Sequence, residues 1–135
     1  MSDRVRLVQQ GLASFNRGEF DDALGLFAHE MEWDTTGLLP DGRVYRGRQE
    51  IRAYWEDIAE RWEELRIADD RWLEGEAYVV MLGRLIGRGA GSGAPVEAPW
   101  HQVWRFRDDV PIRCDNYSDA AAALRDAGLS SERAD

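Results

Sequence analysis

Residues 100–106 read WHQVWRF, which places Trp100, Gln102, Trp104 and Phe106 at every second position. A β-strand sends successive side chains to opposite faces, so these four share one face of a sheet. Three large aromatics and one amide on a single face leave two outcomes. One is a sheet packed on helices with the amide satisfied internally; the other is the wall of an apolar pocket with one polar handle. The bulk of Trp and its indole N–H, which wants a partner, favour the pocket.

Around that strand the hydrophobic period changes. Val5, Val8, Leu12 and Phe15 recur at spacings of three and four, which predicts a helix over 3–16 that stops at Gly18. Phe20, Ala23, Leu24 and Phe27 predict a second helix, with Glu19, Asp21 and Asp22 in its first turn. Residues 30–36 read as a short strand, and Gly37, Pro40 and Gly42 mark a loop. Ile51, Tyr54, Trp55, Ile58 and Trp62 form the apolar face of a third helix over 48–63. Strands follow over 65–74, 77–88, 100–106 and 112–118. Asp119 caps a short helix over 120–127 that Gly128 ends, and the polar tail 129–135 is expected to be disordered. Helices followed by a run of strands indicate a single α+β domain over 1–128, with helices on one face of an antiparallel sheet.

The charge balance narrows the function. The formal net charge is −9, with 26 acidic against 17 basic residues, and every basic residue is Arg. Without Lys there is no Schiff-base or P-loop lysine. The acidic excess argues against nucleic acid or an anionic membrane surface as partner. No apolar run approaches the ~20 residues of a membrane span. Asp3, Arg4 and Arg6 interrupt any signal-like start, so a cytoplasmic protein is expected. A Lys-free chain rich in Arg, Ala and Gly also matches the coding bias of a GC-rich bacterial genome.

Cys114 is the single cysteine, and His29 and His101 match no metal spacing, so neither a metal nor a cofactor is expected. Cys114 is either a small core residue or one half of a pair with His101. The stretch 87-GRGAGSG-93 lacks dinucleotide spacing and reads as a flexible hairpin loop, and Ser92 sits in no nucleophile elbow.

Four segments carry a family likeness: 15-FNRGEFDDALGLFAHEMEW-33, 44-VYRGRQEIRAYW-55, 96-VEAPWHQVWRFRDD-109 and 116-NYSDAAAALRDAGL-129. Together they resemble the SnoaL-like branch of the nuclear-transport-factor-2-like superfamily, over essentially the whole chain. The resemblance implies a cone: three N-terminal helices against a strongly curved antiparallel sheet, a short C-terminal helix, a deep apolar cavity, and a homodimer formed through the outer sheet face. Period-2 parity then lines the cavity with Trp100, Gln102 and Trp104; with Val79, Met81, Gly83 and Leu85; and with Ile112, Cys114 and Asn116. Tyr54, Trp55 and Ile58 would face in from the third helix, and Trp33 and Thr35 from the first strand. A register slip or bulge would flip these assignments together.

The superfamily hosts many chemistries, so activity must come from particular residues. Its steroid isomerases use a carboxylate base on the first strand, a Tyr from the first helix and a protonated acid from a late strand. Here the base position falls on Thr35, or on Asp34 after a one-residue slip, while the Tyr and acid positions hold Gly11 and Gln102. Its epoxide hydrolases need an Asp–Arg–Asp set; the last Asp corresponds to Asn116, and Arg84 has no Asp two residues later. Asp34 is therefore the candidate catalytic residue. Turned inward among aromatics it would gain basicity by desolvation; turned outward it faces solvent or a partner. Two functions follow. One is a site for an apolar, carbonyl-bearing small molecule, with proton transfer of isomerase or cyclase type in which Asp34 is the base and Gln102 or Asn116 holds the substrate oxygen. The other is a non-catalytic binding or dimeric interaction module.

Overall fold

A computed structural model describes residues 2–129. The chain begins with α1 (Asp3–Asn16), where Ser2 Oγ accepts a hydrogen bond from the Val5 amide and Val5, Val8, Leu12 and Phe15 form the buried stripe. After a turn at Gly18 come α2 (Phe20–Leu24), β1 (Glu32–Gly37), β2 (Val44–Arg46) and α3 (Gly47–Arg61). The remainder is β3 (Trp62–Glu74), β4 (Tyr78–Gly89), β5 (Pro95–Pro99), β6 (His101–Arg107), β7 (Val110–Tyr117) and α4 (Ala120–Asp126). Asp119 caps α4 through the Ala121 amide. The tail expected from 129 onward lies outside the described residues beyond Leu129. Among the described residues no helix is long and apolar enough to cross a membrane.

The strands form one curved, open sheet in the order β2-β1-β7-β6-β4-β3, with β5 beside the far half of β4. Every pairing is antiparallel except β1 with β7, which is parallel and makes the sheet mixed rather than antiparallel throughout. β2 and β5 escaped the sequence reading. Three residues are too few to show a period, and the two prolines of β5 suit only an edge.

β4 changes partners at Gly83. Before it, Tyr78–Met81 pair with β6; after it, Arg84–Arg88 pair with β5. A Cβ at Gly83 would meet Ala68 O at 2.3 Å and Met81 Sδ at 2.5 Å, so β3 can cross this closely only over glycine. The Trp100 amide donates to Gly83 O, and the Gly83 amide donates to His101 Nδ1.

Register builds the inner face. Tyr45, Trp33, Cys114, Trp104 and Val79 lie side by side across β2, β1, β7, β6 and β4, and Asn116, Gln102, Met81 and Trp72 form the next row. This face joins α1, α2 and α3 in the main core. On the outer face Val80, Leu82 and Val103 pack against Ala123 of α4.

Candidate functional site

The inner face carries a ring cluster. Trp55 meets Phe15 at 5.2 Å, Trp33 at 5.2 Å and Phe27 at 5.9 Å between centroids, each edge to face. Trp33 meets Trp104 at 5.6 Å in the same manner. Such spacings are those of favourable aromatic pairs. At the cluster's back the polar atoms satisfy one another. Trp104 Nε1 donates to Gln102 Oε1 at 3.0 Å, while Trp100 Nε1 and Gln102 Nε2 both donate to Asn116 Oδ1, at 2.9 and 3.0 Å. Asn116 Nδ2 in turn donates to Asp34 O. Asn116 Oδ1 thereby accepts twice and Gln102 Oε1 once.

A cleft of about 680 Å³ opens where α1 turns into α2 and the end of α3 meets β3, β4 and β5. Phe15, Phe20 and Trp55 line it together with Trp62, Leu65 and Ile86, and its charged lining is Arg17, Arg66 and Arg88 with Glu63, Glu64 and Glu97. Most of those charges are engaged: Arg17 with Glu19, Arg88 with Glu64, and Glu97 with Arg84. Trp55 belongs to both places, lining the cleft and anchoring the ring cluster.

The expected lining residues fall into groups. Trp33, Trp55, Met81, Trp100, Trp104 and Cys114 are buried in the main core, and Tyr54 and Leu85 are half-buried against it. Gln102 and Asn116 are buried in the hydrogen-bonded network. Thr35 is fully buried, and its hydroxyl is spent on the Arg43 backbone in both directions at 3.0 Å. Ile58 is half-buried on α3. Tyr54 stacks on Tyr45 at 4.2 Å, and burial pushes its hydroxyl well up, so it stays neutral. Of the fifteen residues expected to line a pocket, Trp55 is the one in the cleft lining. Phe15, Phe20, Leu65 and Ile86 were not singled out as lining. The usable signal was the 16–18 helix break, which sets Phe15 and Phe20 on either side of a turn, stacked at 5.6 Å.

Asp34 lies on the opposite face from Trp33 and Thr35, in register with Asp115. Its carboxylate accepts from Arg113 Nη2 at 2.8 Å, and from the Thr36 amide and hydroxyl at 2.8 and 2.7 Å. Burial works against ionisation, but the Thr36 bonds and the Arg113 charge outweigh it and hold the carboxyl below its ordinary range. Pointed away from the ring cluster and made less basic, Asp34 has the opposite of what a general base needs. Arg113 also engages Glu32 and Asp115. Burial, aided by Asp126 and Asp34 and only partly offset by Arg113, pushes the Asp115 carboxyl up to about 6. Cys114 and His101 occupy opposite faces of the sheet. Burial pushes the thiol well up and lowers the imidazole, which sits neutral with Nδ1 accepting from Gly83, so they form no nucleophile–base pair.

The sequence matches the SnoaL-like domain family over residues 8–110. No curated protein matches it. The fold is similar to an NTF2-like protein of unknown function from Burkholderia pseudomallei, with TM-score 0.77 and 23% identity, covering 93% of this chain and 97% of that one. It is similar to TerC co-crystallised with polyporic acid, with TM-score 0.76 and 18% identity over 90% of this chain and 95% of that one. A putative polyketide cyclase from Xanthomonas campestris gives TM-score 0.75 and 21% identity over 86% and 90%. At these identities the likeness is one of fold.

Proposed function

The chain belongs to the SnoaL-like domain family, and from that premise we propose that it binds an apolar, aromatic small molecule in the cleft floored by Phe15, Phe20 and Trp55. The observation that carries this reading is the cleft itself. Its volume of about 680 Å³ suits a small organic ligand, and rings form its floor. A relative of the same fold co-crystallised with polyporic acid adds support. The reading is one of binding, not turnover. Asp34 points to the other face, and Glu63, Glu64 and Glu97 are exposed. Pairing with a second copy through the outer sheet face is part of the same proposal, and sedimentation velocity tests it.

The binding test uses Trp fluorescence and thermal melting with a panel of two- and three-ring aromatic compounds. A ligand selective for the folded state raises the melting temperature by mass action. Trp62 is only half-buried, so Trp62→Ala tests the cleft with little harm to the core. It is expected to weaken binding at least about fivefold, since burying one large side chain is worth about 1.5–3 kcal/mol. A panel that moves neither signal overturns the proposal.

A further inference from the structure

Among the described residues three strands border the sheet: β2, β5 and β3. A strand edge presents bare backbone groups to any extended chain unless something blunts it. β2 is three residues long, and β5 begins and ends in proline. β3, with 13 residues, is the long border. Its second half is broken by a register shift between Asp69 and Arg71 and carries the charges of Asp69, Asp70, Arg71 and Glu74. At Ile67 the Asn16 side chain takes the place of a neighbouring strand. Its Nδ2 donates to Ile67 O at 3.0 Å, and its Oδ1 accepts from the Ile67 amide at 2.9 Å.

Leu65 lacks such a cover. Backbone groups of an antiparallel strand alternate toward and away from the partner, and β3 keeps one register from Glu64 to Asp69. Glu64 O and Ala68 O turn to Gly87 and Gly83 of β4, so Leu65 turns its N–H and C=O outward as Ile67 does. Among the described residues no other backbone group takes either one. Leu65 lines the cleft with Phe15, Phe20 and Trp55, and its side chain packs against the main core. Arg66 beside it and Glu63 before it are exposed in the same lining, with no ion partner among the described residues.

We propose that the Leu65 edge docks an extended peptide as a short added strand antiparallel to β3. One peptide residue then exchanges both backbone bonds with Leu65, and its side chain falls on the same face, toward the rings. That residue is apolar. The residue before it stands opposite Arg66 and is acidic; the one two places after it stands by Glu63 and is basic. Asn16 stops the added strand at Ile67, so the recognised segment is short. The site shares the cleft of the small-molecule reading but rests on the strand edge, so each can fail without the other.

The probe is acetyl-Glu-Phe-Ala-Lys-amide. It is compared with the same peptide N-methylated at Phe, which cannot donate to Leu65 O, and with the charge-reversed acetyl-Lys-Phe-Ala-Glu-amide. Affinities come from calorimetry, and the Leu65 amide is followed by 1H–15N correlation spectra. N-methylation should weaken binding about tenfold, the worth of one net hydrogen bond at the upper end of its usual range. Charge reversal should weaken it about two- to fivefold, and Arg66→Glu should remove that preference. The Leu65 amide signal should move downfield with the parent peptide. An N-methylated peptide that binds as tightly as its parent, or a Leu65 signal unmoved by the parent, overturns the proposal. So does a Leu65 signal that moves with protein concentration before peptide is added, since the edge would then belong to a second copy. Aromatic compounds that bind while no peptide does at millimolar concentration overturn the docking edge and leave the small-molecule reading standing. A peptide held at Leu65 beside an inactive aromatic panel does the reverse.

Discussion

Replacing Asn116 separates a structural amide from a ligand-holding one. Its Oδ1 accepts from Trp100 Nε1 at 2.9 Å and from Gln102 Nε2 at 3.0 Å, and the residue is 1% exposed. Asn116→Leu keeps the approximate volume and strands both donors in an apolar interior. Each stranded donor costs about 1–3 kcal/mol, together about 2–6 kcal/mol. The added apolar burial returns about 1–2 kcal/mol. The net loss centres on about 2.5 kcal/mol, a large share of the roughly 5–15 kcal/mol that holds a domain folded. Urea unfolding followed by Trp fluorescence reads this directly. With a slope on the order of 2 kcal/mol per molar, the midpoint should fall by about 1–2 M at unchanged slope. Trp100→Phe removes one of the two donors in advance, so combining it with Asn116→Leu should cost less than the sum of the single changes. A midpoint within about 0.3 M of the parent protein would refute the reasoning. So would a variant of full stability that loses ligand affinity, since the amide would then be serving the ligand and not the indoles.

Asp34→Asn should cost about 1–2 kcal/mol at pH 7 through lost bonds to Arg113 and Thr36, and leave cleft affinity unchanged. Because the native carboxyl is held low, its contribution is present above the ordinary carboxylate pKa and fades as pH falls through the native value. Paired melting curves of the two proteins should therefore converge as pH falls below the ordinary carboxylate range. Asp115→Asn should behave in the opposite sense. A carboxyl raised to about 6 favours the fold when protonated, and that contribution is lost as pH rises toward and through 6. The variant should gain on the parent between pH 4.5 and 7.5, and a constant difference in melting temperature across that range contradicts the assignment. Gly83→Ala should destabilise by at least about 2 kcal/mol, because the new Cβ lands 2.3 Å from a backbone oxygen; a melting temperature near that of the parent would show that β3 can move aside.

Periodicity alone carried much of the fold. The stripe of Val5, Val8, Leu12 and Phe15 and the alternation of Trp100, Gln102, Trp104 and Phe106 each read out the face that is buried, because side-chain direction follows backbone period. The family followed from four short segments in order, and the family match over 8–110 agrees with it. The parallel pairing of β1 with β7 was not legible, since nothing local records which distant strand a segment meets. The site was decided by contacts between segments far apart in sequence. Parity placed Trp33 and Asp34 on opposite faces but could not say which face met the helices. Of the groups that hold Asp34 ionised, Thr36 is two residues along, but Arg113 lies 79 residues away. Nor does any pattern reveal that Asn116 satisfies Trp100 and Gln102 while Trp33 and Trp55 go without. Hydrogen-bond accounting depends on which atoms the tertiary fold brings within about 3 Å of each other, and that distance has no local signature in the chain.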